Sequence, residues 1–315
     1  MRALWQIFRQ VGPYVLAAAL VAWGVTWVVG HWEQIRATLT LSPWHMAALV
    51  PLTIISTLVT GWTNQMLAAH LGAVLTFRQW ASLSFASTLM NYILPLRAGM
   101  ALRAGYFKRR HNFPLSLFTS TFLVASLMTL LANATIGLGA LGWTWATRGL
   151  FSWATLAVFA AVVLGCLALL YLAPRSKGDV DRKGFAGALV RIHQGSDSLR
   201  HSHRLMGRLA AQCVLTSFLY SFRMQIAFAA VGHTVGFAGC LLIGALVSVS
   251  MFISLTPGSL GIREAAILFA SLAVGVPPEA SLMAGALDRL ASVLVLAVAG
   301  PYGIWFISRD VPPAD

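Results

Sequence analysis

Seven ionisable side chains stand in or beside long apolar stretches of this 315-residue sequence: Arg97, Arg103, Arg223, Arg263, Glu264, Asp288 and Arg289. A charge at the centre of a bilayer costs about 2.5–3.5 kcal/mol on insertion scales, so each needs a partner or a purpose. Five arginines face two acids. Once Glu264 and Asp288 each neutralise one arginine, about three positive charges remain, and an anionic ligand would satisfy them. A guanidinium binds phosphate through two parallel N–H bonds. The run Pro257-Gly258-Ser259-Leu260-Gly261 lies next to Arg263. A helix restarting after that run would add backbone N–H donors for the same anion. Plainer roles stay open. Arg97 and Arg103 could snorkel to an interface. Arg263, Glu264, Asp288 and Arg289 could form ion pairs locking a broken helix to the last span. Arg223, deep in its apolar stretch, is expected to face the bundle interior.

The elements that must position these groups are membrane spans. The chain is 58% hydrophobic and 10% charged, with mean hydropathy +0.77, whereas soluble domains carry roughly 25% charged residues. Uncharged stretches predict full spans near 12–30, 43–70, 114–146, 150–173, 209–232 and 282–307. The first is too long for a signal-peptide core and lacks a small-residue cleavage site, which makes it an uncleaved helix. Two further apolar stretches are interrupted: 80–96 ends at Pro95, and 240–276 is broken at Pro257-Gly258.

Charge placement constrains the path. Residues 97–110 hold five basic residues and no acid, and residues 175–208 hold eight basic and three acidic ones. The positive-inside rule puts both segments in the cytoplasm, in agreement with the two spans between them. Counting from a cytoplasmic N-terminus, a complete crossing by 80–96 would put 97–110 outside. The conflict disappears if 80–96 enters and turns back, which is tolerated where protein or a wet cavity surrounds the irregular backbone. From the other side, 240–256 descends to the break. The return piece, 265–276, is about 18 Å long as a helix, against the roughly 30 Å of a bilayer core. Both breaks read P-x-x-x-G, at 95–99 and at 257–261. Matched interruptions entering from opposite faces point to an inverted repeat with its site between them. The expected fold is an all-α polytopic membrane protein, six full spans plus two re-entrant hairpins, forming one domain over 1–315. The 175–208 segment reads either as a solvated loop or as a basic amphipathic helix on the lipid surface.

Catalysis lacks its usual groups. His45, His70 and His233 are scattered, Cys166, Cys213 and Cys240 sit in apolar runs, and the two embedded acids each adjoin an arginine. No metal-ligand spacing, phosphate loop or G-x-S-x-G occurs. The chain is therefore expected not to be an enzyme and to need no metal or cofactor. Its basic character is read as membrane topology, without nucleic-acid binding.

Two segments carry a family resemblance. Residues 91–103, with Asn91, Pro95, Arg97, Gly99 and Arg103, resemble the N-x-x-x-P-x-R-x-G-E-x-x-R signature of the lysylphosphatidylglycerol synthase transmembrane-region family, also called the flippase-like domain. Residues 256–265, with Pro257, Gly258, Gly261, Arg263 and Glu264, resemble its second signature, P-G-G-x-G-x-R-E-A. The resemblance extends over nearly the whole chain. It implies a bacterial or archaeal inner-membrane protein, akin to the flippase portion of the multiple peptide resistance factor. Relatives occur beside hopanoid, glycolipid and polysaccharide pathways. In full-length synthases a soluble domain makes the aminoacyl lipid; this chain ends at Asp315, and no synthase activity is expected. Two departures stand out: Met100 replaces the glutamate of the first signature, and residues 120–136 lack the charges usual in that span. The first half-site is then degenerate or selective for a different headgroup.

The function expected is a flippase-like transporter moving an anionic, phosphate-bearing lipid or a polyprenyl- or glycolipid between leaflets. Its site residues would be Arg97, Arg103, Arg223, Pro257, Gly258, Gly261, Arg263, Glu264, Asp288 and Arg289, with both termini cytoplasmic. The alternative is a non-transporting membrane partner for a lipid- or polysaccharide-synthesis enzyme. A homodimer is compatible with either.

Overall fold

A computed structural model describes residues 43–94, 97–171, 203–253 and 256–311. The predicted span at 12–30, Pro95, the 175–208 segment up to 202 and both termini lie outside the described residues. Within them the fold is helical without strands: α1 (Pro43–His70), α2 (Phe77–Ile93), α3 (Ala98–His111), α4 (Leu115–Arg148), α5 (Trp153–Tyr171), α6 (His203–Ala230), α7 (Phe237–Ser250), α8 (Ile262–Ala273) and α9 (Pro278–Asp310). A single 3-10 turn, Pro257–Ser259, separates α7 from α8. Five helices (α1, α4, α5, α6 and α9) are long and apolar enough to cross a membrane. Their outer faces carry unpartnered apolar side chains such as Leu164, Val293 and Val298, which is the surface that hydrocarbon accepts and water does not.

The boundaries refine the sequence expectations. The last span begins at Pro278, where a proline suits the first helical position because its missing N–H has no partner there anyway, and continues to Asp310. The span expected at 209–232 starts six residues earlier, at His203. Arg204 and Arg208 therefore ride its first turns and do not belong to a separate surface segment. The larger change concerns 97–110, expected as one cytoplasmic unit. It is a helix, α3, of 14 residues, about 21 Å long. Only its far end, with Lys108, Arg109 and Arg110, lies at the end of α9. There Arg110 and Tyr106 (O–H to carboxylate, 2.7 Å) both meet Asp310, as does Gln79 from the start of α2. The α2 start and the α3 end thus share one carboxylate, and the two helices form a hairpin whose half-buried tip, at Arg97, lies at the opposite end, against the break after α7.

A second hairpin, α7–α8, repeats the first with opposite sense. The backbone before each hairpin follows the same course 160 residues apart. His70-Leu71-Gly72 and Ala230-Val231-Gly232 close the long helix with equivalent bonds, Gly72 N–H to Ala69 O and Gly232 N–H to Ala229 O. Gly72 (φ 87°) and Gly232 (φ 78°) take the left-handed turn that glycine allows without steric cost. Phe77 and Phe237 open the next helix. At the breaks the offset is 162 residues, and Arg97 (φ 56°) and Ser259 (φ 51°) occupy the same left-handed position of P-x-x-x-G.

Packing obeys the exchange as well. α2 packs on α9 as α7 packs on α4, α1 meets α9 as α6 meets α4, and α1 and α6 pack on each other. The hairpins open to opposite ends of the bundle, α2–α3 toward Asp310 and α7–α8 toward Arg148, which lies against Gly236. Each hairpin has its own hydrophobic core. Leu67, Leu83, Phe107, Phe118 and Phe122 surround the first, and Phe228, Leu242, Ile243, Ala270 and Ala284 the second.

The α2–α9 contact is close enough to require a missing side chain. A Cβ at Gly303 would stand 2.6 Å from the Ser82 carbonyl oxygen and 3.1 Å from the Ala86 nitrogen, both backbone atoms that cannot swing aside. Gly303→Ala is therefore expected to separate α2 from α9 and destabilise the protein by about 1–3 kcal/mol, the usual cost of overpacking. Gly139→Ala, with nothing within 4 Å, serves as the control. Thermal unfolding in detergent compares the two, and equal melting temperatures would refute the close-packing argument.

Candidate functional site

The two hairpin tips meet in the interior. Arg97 caps the start of α3, donates from Nη2 to the carbonyl of Met251 at 2.8 Å, and places its guanidinium 4.5 Å from the centre of the Phe252 ring. Met251 and Phe252 belong to the break after α7. From the other direction, Arg289 on α9 donates to the carbonyl of Gly258 at 3.2 Å and lies 6.0 Å from the Tyr92 ring centre at the end of α2. The first tip holds the second through Arg97, and Arg289 of α9 bonds the second break while facing Tyr92 of the first hairpin.

Local folding of the hairpins follows the same logic. Thr76 and Gln79 form a reciprocal cap that starts α2: Thr76 N–H donates to Gln79 Oε1 at 2.8 Å, and Gln79 N–H reaches Thr76 Oγ1. Such a pair satisfies two orphan helix donors at once. Asn91 accepts the N–H of Gly99 at 2.8 Å, stitching the end of α2 to the start of α3. At the second tip Gly261 N–H donates to Glu264 Oε2 at 2.8 Å, and the Thr256 hydroxyl donates to the Leu260 carbonyl.

The charges divide into three groups. Asp288 on α9, fully buried, contacts two arginines at once: Arg263 of α8 through Nη2 to Oδ2, and Arg223 of α6 through Nη2 to Oδ1 at 2.6 Å. The Arg223 contact is an ion pair whose angle falls outside hydrogen-bond geometry. Arg223 also donates to Ser292 Oγ at 2.9 Å, and Arg263 to the Tyr220 hydroxyl at 3.3 Å. Glu264 pairs with Arg289 at 2.7 Å. The acids therefore choose arginines across the helix interface over their chain neighbours, which ties α8 and α6 to α9. Arg97 and Arg103 form the third group and have no acid partner among the described residues. Arg103 donates from Nε to Ser87 Oγ at 3.0 Å.

Arg97 and Arg103 line a cavity of about 270 Å³ between the tips, walled by α1, α2, α4, α6 and the second break. Of the ten residues expected at the site, Arg97, Arg103 and Gly258 border this space. Pro257 is buried in the 3-10 turn, Gly261 caps α8, and Arg223, Arg263, Glu264, Asp288 and Arg289 are engaged in the ion pairs beside it. Sequence reasoning missed the neutral part of the wall: Thr60, Thr63, Thr88, Tyr92, Ser126 and Thr129. A hydroxyl inside a span is common enough to carry no signal alone. The concentration of Thr and Ser at 56–63 and 119–129, facing the segment around Arg97, was the available clue.

The fold and site define a multi-pass α-helical membrane protein built from two inverted units, each a broken hairpin between long helices, with a cationic cavity where the breaks meet. The family described as lysylphosphatidylglycerol synthase TM region matches residues 14–300, and the chain belongs to it. No curated protein and no solved structure matches the chain.

Breaking a buried ion pair by removing one partner leaves an uncompensated charge and costs about 3–5 kcal/mol. Asp288→Asn, which strands two buried arginines, should lower the unfolding temperature far more than Glu264→Gln, whose carboxylate is a quarter exposed. Equal losses in a thermal melt would mean that Asp288 does not anchor the second hairpin.

Proposed function

We propose that this protein is a flippase-like transporter that moves an anionic, phosphate-bearing lipid between leaflets. One observation carries the reading. Two guanidiniums without an acid partner among the described residues line a cavity at the meeting point of two oppositely opening broken hairpins. Unbalanced charge in a membrane interior marks a substrate path by default, and arginine is the residue suited to phosphate. Inverted repeats with discontinuous helices place substrate at the repeat interface and allow access to alternate between sides. The family's description, which names a synthase of an aminoacylated phospholipid, supports a lipid as the class of substrate.

In this reading α2–α3 and α7–α8 are re-entrant from opposite faces. Each of their helices is shorter than a bilayer core; α8, with 12 residues, rises about 18 Å. The Asp310 end, with Lys108, Arg109, Arg110 and Arg309, is the cytoplasmic side by the positive-inside rule. The membrane is the bacterial inner membrane. Trp44, Trp143, Trp145 and Trp153, all exposed, form the aromatic belt of the opposite interface. Phosphate enters between Arg97 and Arg103, the tails stay in lipid, and the hairpins exchange which face they open.

Transport of an acyl-chain-labelled phosphatidylglycerol in proteoliposomes, read by dithionite quenching, tests the proposal. Arg103→Ala should reduce the rate at least ten-fold while leaving the unfolding temperature close to wild type, because Arg103 is outside the ion-pair cluster. Arg97→Ala should reduce it similarly with some loss of stability, since Arg97 also bonds the second tip. Wild-type rates in both variants would sink the proposal.

A further inference from the structure

The cavity between the hairpin tips constrains its ligand beyond the phosphate. Among its described lining residues Arg97 and Arg103 are the cations, and none carries a carboxylate. The remaining polar wall is uncharged and comes from four helices, α1, α2, α4 and α6 (through Gln212), and from Ser259 of the second break, so it surrounds the space and is not a stripe on one. Thr60 of α1, Thr88 of α2 and Thr129 of α4 each donate to the carbonyl four residues earlier. Their hydrogens are used within their own helices, and their oxygen lone pairs remain to accept O–H groups from a ligand. Asn91 has its carbonyl oxygen on Gly99 N–H, which leaves its NH₂ as a donor. Thr63 and Ser126 complete the ring with hydroxyls able to donate or accept.

A single phosphodiester brings one negative charge to two guanidiniums, so the occupied cavity keeps a net positive charge. An ammonium group placed beside it would meet like charge in a low-dielectric setting with no carboxylate to balance it. A hydroxylated, uncharged group would instead find acceptors and donors on every wall, and a bare phosphate would leave them unused. The cavity, about 270 Å³, is below the roughly 300–1,000 Å³ of pockets that enclose a whole drug-sized molecule. It holds a headgroup and leaves acyl chains outside.

Building on the transport reading, we infer that the substrate is a phosphodiester lipid whose outer headgroup is an uncharged polyol such as glycerol, inositol or a sugar. Amine-bearing headgroups are rejected. This assignment separates the chain's own cavity from the lysyl lipid in the family's description.

Competition binding followed by native mass spectrometry tests it. The purified protein is offered equimolar phosphatidylglycerol, phosphatidylinositol, phosphatidic acid, phosphatidylethanolamine and lysyl-phosphatidylglycerol with identical acyl chains. The expected result is at least ten-fold preference for phosphatidylglycerol and phosphatidylinositol over the other three. The triple variant Thr60→Val, Thr63→Val, Thr129→Val should lower phosphatidylglycerol to the level of phosphatidic acid without changing phosphatidic acid itself. Thr63→Val alone, expected to give part of that loss, serves if the triple variant does not fold. Phosphatidic acid bound as well as phosphatidylglycerol, or either amine-bearing lipid bound as well, would overturn the polyol assignment while leaving an anionic-lipid site standing. Binding of every lipid indifferent to Arg103→Ala would overturn the underlying transport reading instead. Capture of free sn-glycerol 3-phosphate with no lipid retained would overturn the lipid source.

Discussion

A helix interrupted inside a protein exposes N–H and C=O groups that other groups must satisfy, and among the described residues this protein contains two such interruptions. Most of the interior polar chemistry answers that constraint. Asn91 takes the Gly99 N–H, Glu264 takes the Gly261 N–H, Thr256 donates to Leu260 O, Arg97 to Met251 O and Arg289 to Gly258 O. One of these bonds, from Arg97 to Met251 O, crosses from the first unit to the second. The two breaks face each other, and the inverted packing of α1 on α6, α2 on α9 and α7 on α4 is what brings them face to face.

The constraint also sorts the charges. Glu264 and Arg289 pair with each other while each bonds a break, so both serve structure first. Asp288 gathers Arg223 and Arg263 from two other helices and fastens α6, α8 and α9 around the second core. Two guanidiniums on one carboxylate still leave a surplus charge buried beside the cavity, which adds to the positive potential there. Arg103 bonds only a side-chain hydroxyl, that of Ser87, and completes no backbone break. It is the arginine whose presence structure explains least.

Much of this architecture was legible in the sequence because lipid narrows the choices. Uncharged length located the spans now seen as α1, α4, α5, α6 and α9, and the surplus of basic residues at 97–110 required the chain to turn back before them. The return could not be read as a helix with a deep end, because a run of basic residues looks the same whether it lies flat in the cytoplasm or climbs 14 residues to Arg97. Ion-pair partners were equally hidden. Neighbours in sequence, Arg263 with Glu264 and Asp288 with Arg289, point to different sides of their helices, so each acid meets the arginine of the facing helix. The hydroxyl wall escaped notice because a threonine that bonds its own helix and one that lines a cavity are the same residue in a sequence.

The two units share a path but not a division of labour. In the second, every arginine near the tip finds an acid, and the turn Pro257–Ser259 brings backbone and the small residues Gly258 and Ser259 to the cavity. In the first, no acid stands near the tip among the described residues, and Met100 occupies the place where the family signature has glutamate. A carboxylate there would compete for Arg97 and Arg103, both on the same short helix start. Its replacement by a thioether removes the internal counter-ion and leaves the cavity's charge to be balanced from outside. In the sequence the departure reads as a half-site either degenerate or selective for a different headgroup; on the transport proposal it is the second, because it leaves two guanidiniums without an internal acid partner among the described residues.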